Sequence, residues 1–302
     1  MNKRCRCLLL VLLLALSGWH PASAATLVDQ DGNKLTYGAP FSRIISLYPA
    51  HTENLLALGL GQELIGVSVS DDPAATRGKL QFGASDNPEK FIAAKPDLIL
   101  VRPMISRAYP QLLSQLQEAG ITIVSLQPTS IEEMFSYWQA LGDLSGRSSE
   151  AAAMIRTFQR ELAAIQQSRD RIPVADRPRV YFEAIHASMK TFAPTSMAVF
   201  VLENGGGVNI AADALARNST NIADYGKERI LFHAAEIDIY LAQQGRMNRV
   251  TREIIEGEPG YQAIKAIQEG RIFFIDEELV SRPTMRLLKG IRQVRELLYP
   301  EG

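Results

Sequence analysis

From Ser148 to about Ser168 the chain runs without Gly or Pro, and Ala151, Ile155, Phe158, Leu162 and Ile165 recur at spacings of four, three, four and three. That period is the 3.6-residue turn of an amphipathic helix. At 1.5 Å per residue the helix reaches about 30 Å, roughly the width of a domain. Ser148 or Ser149 can cap its start, Glu150 suits the positive end of its dipole, and Arg171-Ile172-Pro173 and Arg177-Pro178 mark its exit. A chain of 302 residues suggests two domains, and a helix of this length at its middle joins them.

On both sides short apolar runs alternate with helix-like segments. Before the helix the runs are Ile44 to Leu47, Leu64 to Val69, Leu98 to Val101 and Ile121 to Leu126, with helical pieces at Thr52 to Leu60 and Tyr109 to Ala119 that stop at glycines. After it come Val180 to Ile185, a helix at Ala198 to Glu203, Val208 to Ile210, Ile237 to Ala242, a helix near Gly260 to Glu269, Ile272 to Ile275 and a closing helix at Thr284 to Tyr299. Strand and helix in alternation predict parallel sheets covered on both faces. The expected fold class is α/β: two α/β lobes with mainly parallel sheets joined by one long interdomain helix. The lobes span 25–146 and 171–302, and the connecting helix spans 147–170. Ligands of such sheets approach the strand carboxyl ends, here a cleft between lobes, and a single helical link predicts little closure.

Residues 1–24 read as a secretory signal: Lys3, Arg4 and Arg6, then the apolar run Leu8 to Leu16, then Ala22-Ser23-Ala24, with cleavage expected after Ala24. Nine apolar residues are too few for the roughly 20 that span a bilayer. Both cysteines, Cys5 and Cys7, precede that run, so a lipid anchor is disfavoured and the processed chain carries no thiol. The expected location is the periplasm. A formal net charge of −1 supplies no basic field for nucleic acid, and no nucleic-acid partner is expected.

Arg43 to Glu53, RIISLYPAHTE, resembles the first strand-to-helix turn of the periplasmic substrate-binding proteins for ferric siderophores, haem and vitamin B12. Glu89 to Leu100, EKFIAAKPDLIL, is similar to the same family's segment in which a glutamate is followed by Lys-Pro-Asp and an apolar strand. The resemblance implies a monomeric, non-enzymatic component of an ABC importer that captures a metal chelate and docks on an inner-membrane permease. It also implies one exposed docking glutamate per lobe, Glu89 and Glu228, the alternative for each being a solvated residue at a helix start favoured by the dipole. Siderophore, corrinoid and haem stay open in that order, and a free metal ion is the alternative cargo. No cofactor is expected.

The residues themselves suggest who meets the ligand. Tyr48 and His51 stand at the first strand end, His51 either as a metal ligand or as a helix-capping group. Arg102 and Arg107 follow the strand at 98–101; Tyr181, His186, Met189 and Lys190 lie in and after the strand at 180–185; Arg246, Asn248 and Arg282 follow later strands. Guanidinium groups at successive strand ends suit an anionic chelate. The chain has no Gly-x-Ser-x-Gly elbow, no His-Glu-x-x-His helix and no phosphate-cradling loop, so a secreted hydrolase is the lesser alternative.

Overall fold

The computed structural model describes residues 25–216 and 220–300; the expected leader lies outside the described residues. A hairpin, β1 (Ala25–Val28) with β2 (Lys34–Tyr37), opens the N-terminal lobe. Asp29 closes its turn by accepting from the amides of Asp31 and Asn33. The lobe's sheet contains β3 (Ile44–Ser46), β4 (Leu64–Ser68), β5 (Leu80–Phe82), β6 (Leu98–Val101) and β7 (Thr122–Ser125), all parallel, in the order β5-β4-β3-β6-β7. Five helices accompany it: α1 (Pro49–Ala57), α2 (Pro88–Ala93), α3 (Pro103–Ala108), α4 (Pro110–Glu118) and α5 (Ile131–Ser145). The chain order reverses between β3 and β6, which makes their carboxyl ends the topological switch point.

The long helix, α6 (Ser148–Arg169), lies where the periodicity puts it. Its start differs: Arg147 is the N-cap residue, with no side-chain cap, and the Ser149 hydroxyl bonds Glu150 instead.

The second sheet contains β8 (Arg179–Ile185), β9 (Lys190–Phe192), β10 (Val208–Asn209), β11 (Leu215–Ala216), β12 (Ile222–Asp224), β13 (Ile239–Gln244) and β14 (Ile272–Asp276). Its order is β11-β12-β9-β8-β13-β14, with β10 also on β8. The expected parallel strands β8, β13 and β14 form one half; β9, β11 and β12 add an antiparallel half that the apolar runs do not reveal. Only residues 186–189 separate β8 from β9, too few for a parallel crossover, so the chain reverses. The helices are α7 (Met197–Gly205), α8 (Lys227–Phe232), α9 (Arg252–Gly257), α10 (Lys265–Gln268), α11 (Glu277–Val280) and α12 (Leu287–Leu298).

The lobes share one apolar core. Trp138 of α5, Phe158 of α6 and Val201 of α7 belong to a single buried cluster, and rings run from Trp138 to Phe158 at 5.4 Å and from Phe158 to Phe200 at 6.4 Å. The Pro283 carbonyl also accepts from two N-terminal-lobe groups, Trp138 Nε1 at 2.9 Å and Asn54 Nδ2 at 3.0 Å. Shearing the lobes apart exposes those rings and strands those donors. Small-angle scattering with and without bound ligand is therefore expected to give superimposable curves. A shift of several ångströms in radius of gyration would overturn this.

Candidate functional site

Two proline turns build the first rim. Tyr48-Pro49 and Arg102-Pro103 each place an extended residue after a parallel strand and a proline at the first helical position. Proline disfavours helical backbone in the residue before it, so both side chains project from the sheet before the helix turns away. Ser46 lies opposite Leu100 in the register of β3 and β6, which brings Tyr48 and Arg102 side by side at the switch point. The Arg102 guanidinium sits 4.7 Å from the Tyr48 ring centroid, a cation–π contact. Arg102 has no carboxylate partner among the described residues, and Val69 and Met104, also just past strand ends, are 59% and 51% exposed.

The facing rim belongs to the C-terminal lobe. Buried Glu183 on β8 accepts from His186 Nδ1 at 2.7 Å, Asn248 Nδ2 at 3.0 Å and the Tyr240 hydroxyl. Three donors offset the desolvation of this carboxylate. Asn248 also accepts from the His186 amide and donates to the Gln243 carbonyl, both at 3.0 Å. The turn it anchors is closed by Gly245 N to Asn248 O at 3.1 Å and held by Met247 N to Glu277 Oε2 at 3.0 Å. At its tip stand Arg246 and Met247, both exposed. Hydrogen bonding to Glu183 raises the His186 pKa above its ordinary value, against the opposing effect of burial. Among the described residues His186 Nε2 has no hydrogen-bond partner; Glu258 Oε2, at 3.7 Å, belongs to a carboxylate already paired with Lys227.

The rims meet over α1. Glu53 bonds Arg282 at 3.2 Å and Arg286 at 3.0 Å across the lobes, and Glu278 bonds the same two arginines at 2.9 and 2.7 Å. Burial raises the Tyr48 pKa, and Arg102 from its own lobe and Arg282 from the other both oppose that rise. Tyr48 therefore stands where the two lobes face each other.

Several sequence expectations are corrected. His51 is wholly buried, with Nε2 donating to the Val101 carbonyl at 3.1 Å and Nδ1 accepting from the Tyr137 hydroxyl at 2.7 Å. A carbonyl can only accept, which fixes that tautomer and leaves no ring nitrogen for a metal. Tyr181 is wholly buried among Tyr225, Tyr240 and other core residues. Asn248 is buried and shapes the turn rather than meeting a ligand. Arg282 is neutralised by two carboxylates. Met189 holds a left-handed turn at φ 49° with its sulfur accepting from Tyr261, and Lys190 pairs with Asp224 at 3.4 Å. Arg107 is exposed in the last turn of α3. Tyr48, Arg102, His186 and Arg246 remain on the rims. Val69, Met104 and Met247 join them, a set signalled in the sequence only by apolar residues just past strand ends. Glu89 and Glu228 are exposed in the first turns of α2 and α8.

Two other surface hollows, of about 210 and 340 Å³, lie beside Ser130 and Phe200 and between β1 and α5. Their linings carry Glu132, Glu203, Asp29 and Glu133 and no cation, so the rims are the better match for an anionic or amphipathic ligand.

Two α/β lobes joined by a long helix and a shared core, each with a strand-end rim, are an architecture suited to holding a solute between them. Residues 44–279 match the family described as "Periplasmic binding protein", and the chain belongs to it. It is similar to an uncharacterized ABC transporter substrate-binding lipoprotein of Bacillus subtilis, at 26% identity over 91% of this chain and 86% of that one. It is also 26% identical to a vitamin B12-binding protein of Vibrio cholerae, over 84% and 88% of the two chains. Among solved structures, a possible iron-binding (periplasmic solute-binding) protein of Staphylococcus epidermidis superimposes with a TM-score of 0.74 at 28% identity, covering 86% of this chain and all of the other.

Proposed function

We propose that this protein is the extracytoplasmic capture component of an ABC importer, holding a corrinoid-class metal chelate between the two rims and passing it unaltered to a permease. The observation that carries the reading is the Tyr48–Arg102 pair at the switch point, with the exposed Arg246-Met247 turn tip on the other lobe. An aromatic ring and exposed apolar side chains suit the broad apolar face of a tetrapyrrole. With Arg282 and Arg286 taken up by Glu53 and Glu278, the rims hold fewer free cations than the sequence suggests, and a strongly anionic siderophore loses its advantage. The name of the Vibrio cholerae relative points the same way. Export with removal of residues 1–24 and action as a monomer complete the reading.

Native mass spectrometry of protein from its own envelope, with an absorption spectrum, tests it: a corrinoid mass and colour are expected, and a chemically altered or absent ligand overturns it. Cyanocobalamin at 100-fold excess over its dissociation constant should raise stability by about 2.7 kcal/mol. Arg102→Ala is expected to weaken cyanocobalamin binding by about tenfold, on the order of 1.4 kcal/mol, without changing the melting temperature of the free protein. Equal affinity of variant and parent in titration calorimetry would remove Arg102 from the site.

Haem is the second reading, favoured by one feature. His186 is aligned by Glu183 through Nδ1 while Nε2 has no hydrogen-bond partner among the described residues, an arrangement that can orient an imidazole toward a metal. Its raised pKa opposes that role, because a protonated ring cannot ligate. A Soret band in the isolated complex, absent in His186→Ala, would favour haem over a corrinoid.

A further inference from the structure

The interlobe ion pairs take up only part of the charge around the cleft. Glu53, Arg282, Glu278 and Arg286 satisfy one another across the lobes. Arg102 touches the Tyr48 ring and the Met104 sulfur, and neither it nor Arg246 has a carboxylate partner among the described residues. Glu277, next in sequence to Glu278, has no cation there either. Its Oε2 accepts from the Met247 amide at 3.0 Å, and its Oε1 accepts from no described residue.

Local packing fixes where that carboxylate lies. Gly245 leaves room for it: a Cβ at position 245 would overlap the Glu277 side chain, which rests against the turn whose tip is Arg246 and Met247. The next residue, Glu278, grips the two arginines that hold Glu53, and Glu53 belongs to α1, whose N-cap is Tyr48. Burial raises the Tyr48 pKa; Arg102 and Arg282 oppose the rise, and Glu53 and Glu277 add to it. Glu277 thus stands at the C-terminal rim turn, half-buried and within electrostatic reach of Tyr48 on the other lobe.

A carboxylate kept out of ion pairs beside rim cations suits a neutral group that both donates and accepts. A primary carboxamide is such a group, with two N–H donors and a carbonyl oxygen, whereas a carboxylate only accepts. We infer that Glu277 is the specificity-determining residue of the cleft: its Oε1 accepts an N–H from a peripheral carboxamide of the cargo, whose carbonyl oxygens fall to Arg102 and Arg246, and a carboxylate in the same place is refused. This rests on the corrinoid reading and deepens it, because corrinoids carry a fringe of carboxamides while haem carries propionates. The refusal has two parts. Like charges repel, and the Glu277 oxygen loses water without gaining a donor. Attraction to the rim cations alone would instead favour the acid, since the unpaired arginines outnumber the unpaired carboxylate.

The test uses the processed protein at neutral pH, cyanocobalamin, and the peripheral monocarboxylic acids of cyanocobalamin taken one isomer at a time, with titration calorimetry as the readout. The parent is expected to bind at least one isomer about tenfold or more weakly than the full amide. In Glu277→Gln that penalty should disappear, because a glutamine Oε1 can still accept the Met247 amide while its Nε2 donates to the acid. Equal or tighter binding of every isomer by the parent would overturn the proposal, and this comparison needs no variant. A penalty that survives in Glu277→Gln, with amide and acid weakened alike, would make Glu277 a support of the turn alone and overturn the proposal as well. Failure of the parent to bind cyanocobalamin at all would overturn the corrinoid reading itself, and the role of Glu277 with it.

Discussion

Phe158→Ala is expected to lower the unfolding free energy by about 3 to 5 kcal/mol and to loosen one lobe from the other. Phe158 is fully buried at the middle of α6, with Phe135 and Trp138 of the N-terminal lobe at 5.7 and 5.4 Å and Phe200 of the C-terminal lobe at 6.4 Å. Truncation removes the ring that both lobes pack against and leaves a cavity that three other rings cannot close without shifting their helices. The loss should appear in urea unfolding as a lower midpoint, with Phe158→Leu intermediate. It should also appear as faster hydrogen exchange at the Asn54 side-chain amide and the Trp138 indole N–H, whose bonds to Pro283 depend on the same lobe arrangement. A loss below about 0.5 kcal/mol, the range of surface substitutions, would show that the lobes do not share this core.

The second large effect depends on pH. Burial lowers the His51 pKa from 6.5 to about 4, so the folded protein keeps the imidazole neutral where the unfolded chain protonates it. As pH falls from about 6.5 toward 4 the unfolded state takes up a proton that the folded state refuses, and stability falls by about 3 kcal/mol. His51→Gln removes this dependence, although it also disturbs the bonds to Val101 and Tyr137 and lowers stability at neutral pH. Two other groups act with the opposite sign. Burial lifts the Asp71 pKa to about 6, so protonation at acid pH favours the folded state and that gain is lost as pH rises through 6. His186, held above its ordinary value by Glu183, contributes stability that is present below 6.5 and lost as pH rises through its folded value. The stability difference between parent and His51→Gln, measured by urea unfolding at several pH values between 4 and 7, isolates the histidine. A difference independent of pH would show that His51 takes up its proton at the same pH in the folded protein as in the unfolded chain.

Much of the architecture is written locally. The glycine stops, the apolar runs and the period of α6 suffice to place most strands and two lobes. α5 is equally marked, with Ser130 accepting from the Glu133 amide, Met134, Tyr137, Trp138, Leu141 and Leu144 on one face, and Gly146 in the left-handed region at its end. The sequence reading nonetheless places no helix there. The short strands β9, β11 and β12 carry no comparable signal, because two or three residues are too few to establish a period.

The ligand site divides along the same physical line. Tyr48 and Arg102 are legible from the chain because each depends on one strand and the proline after it. The fates of His51 and Arg282 are not. His51 is buried because α5 brings the Tyr137 hydroxyl onto its ring from 86 residues away, and Arg282 loses its free charge because α1 brings Glu53 to it across 229 residues. Sequence by itself determined the elements, their alternation and the turns that expose rim residues, since these follow from backbone propensity and hydrophobic period within a few residues. Only the tertiary structure decided which charges stay free and which rings stay wet, since desolvation and ion pairing depend on neighbours that the chain brings together from far apart.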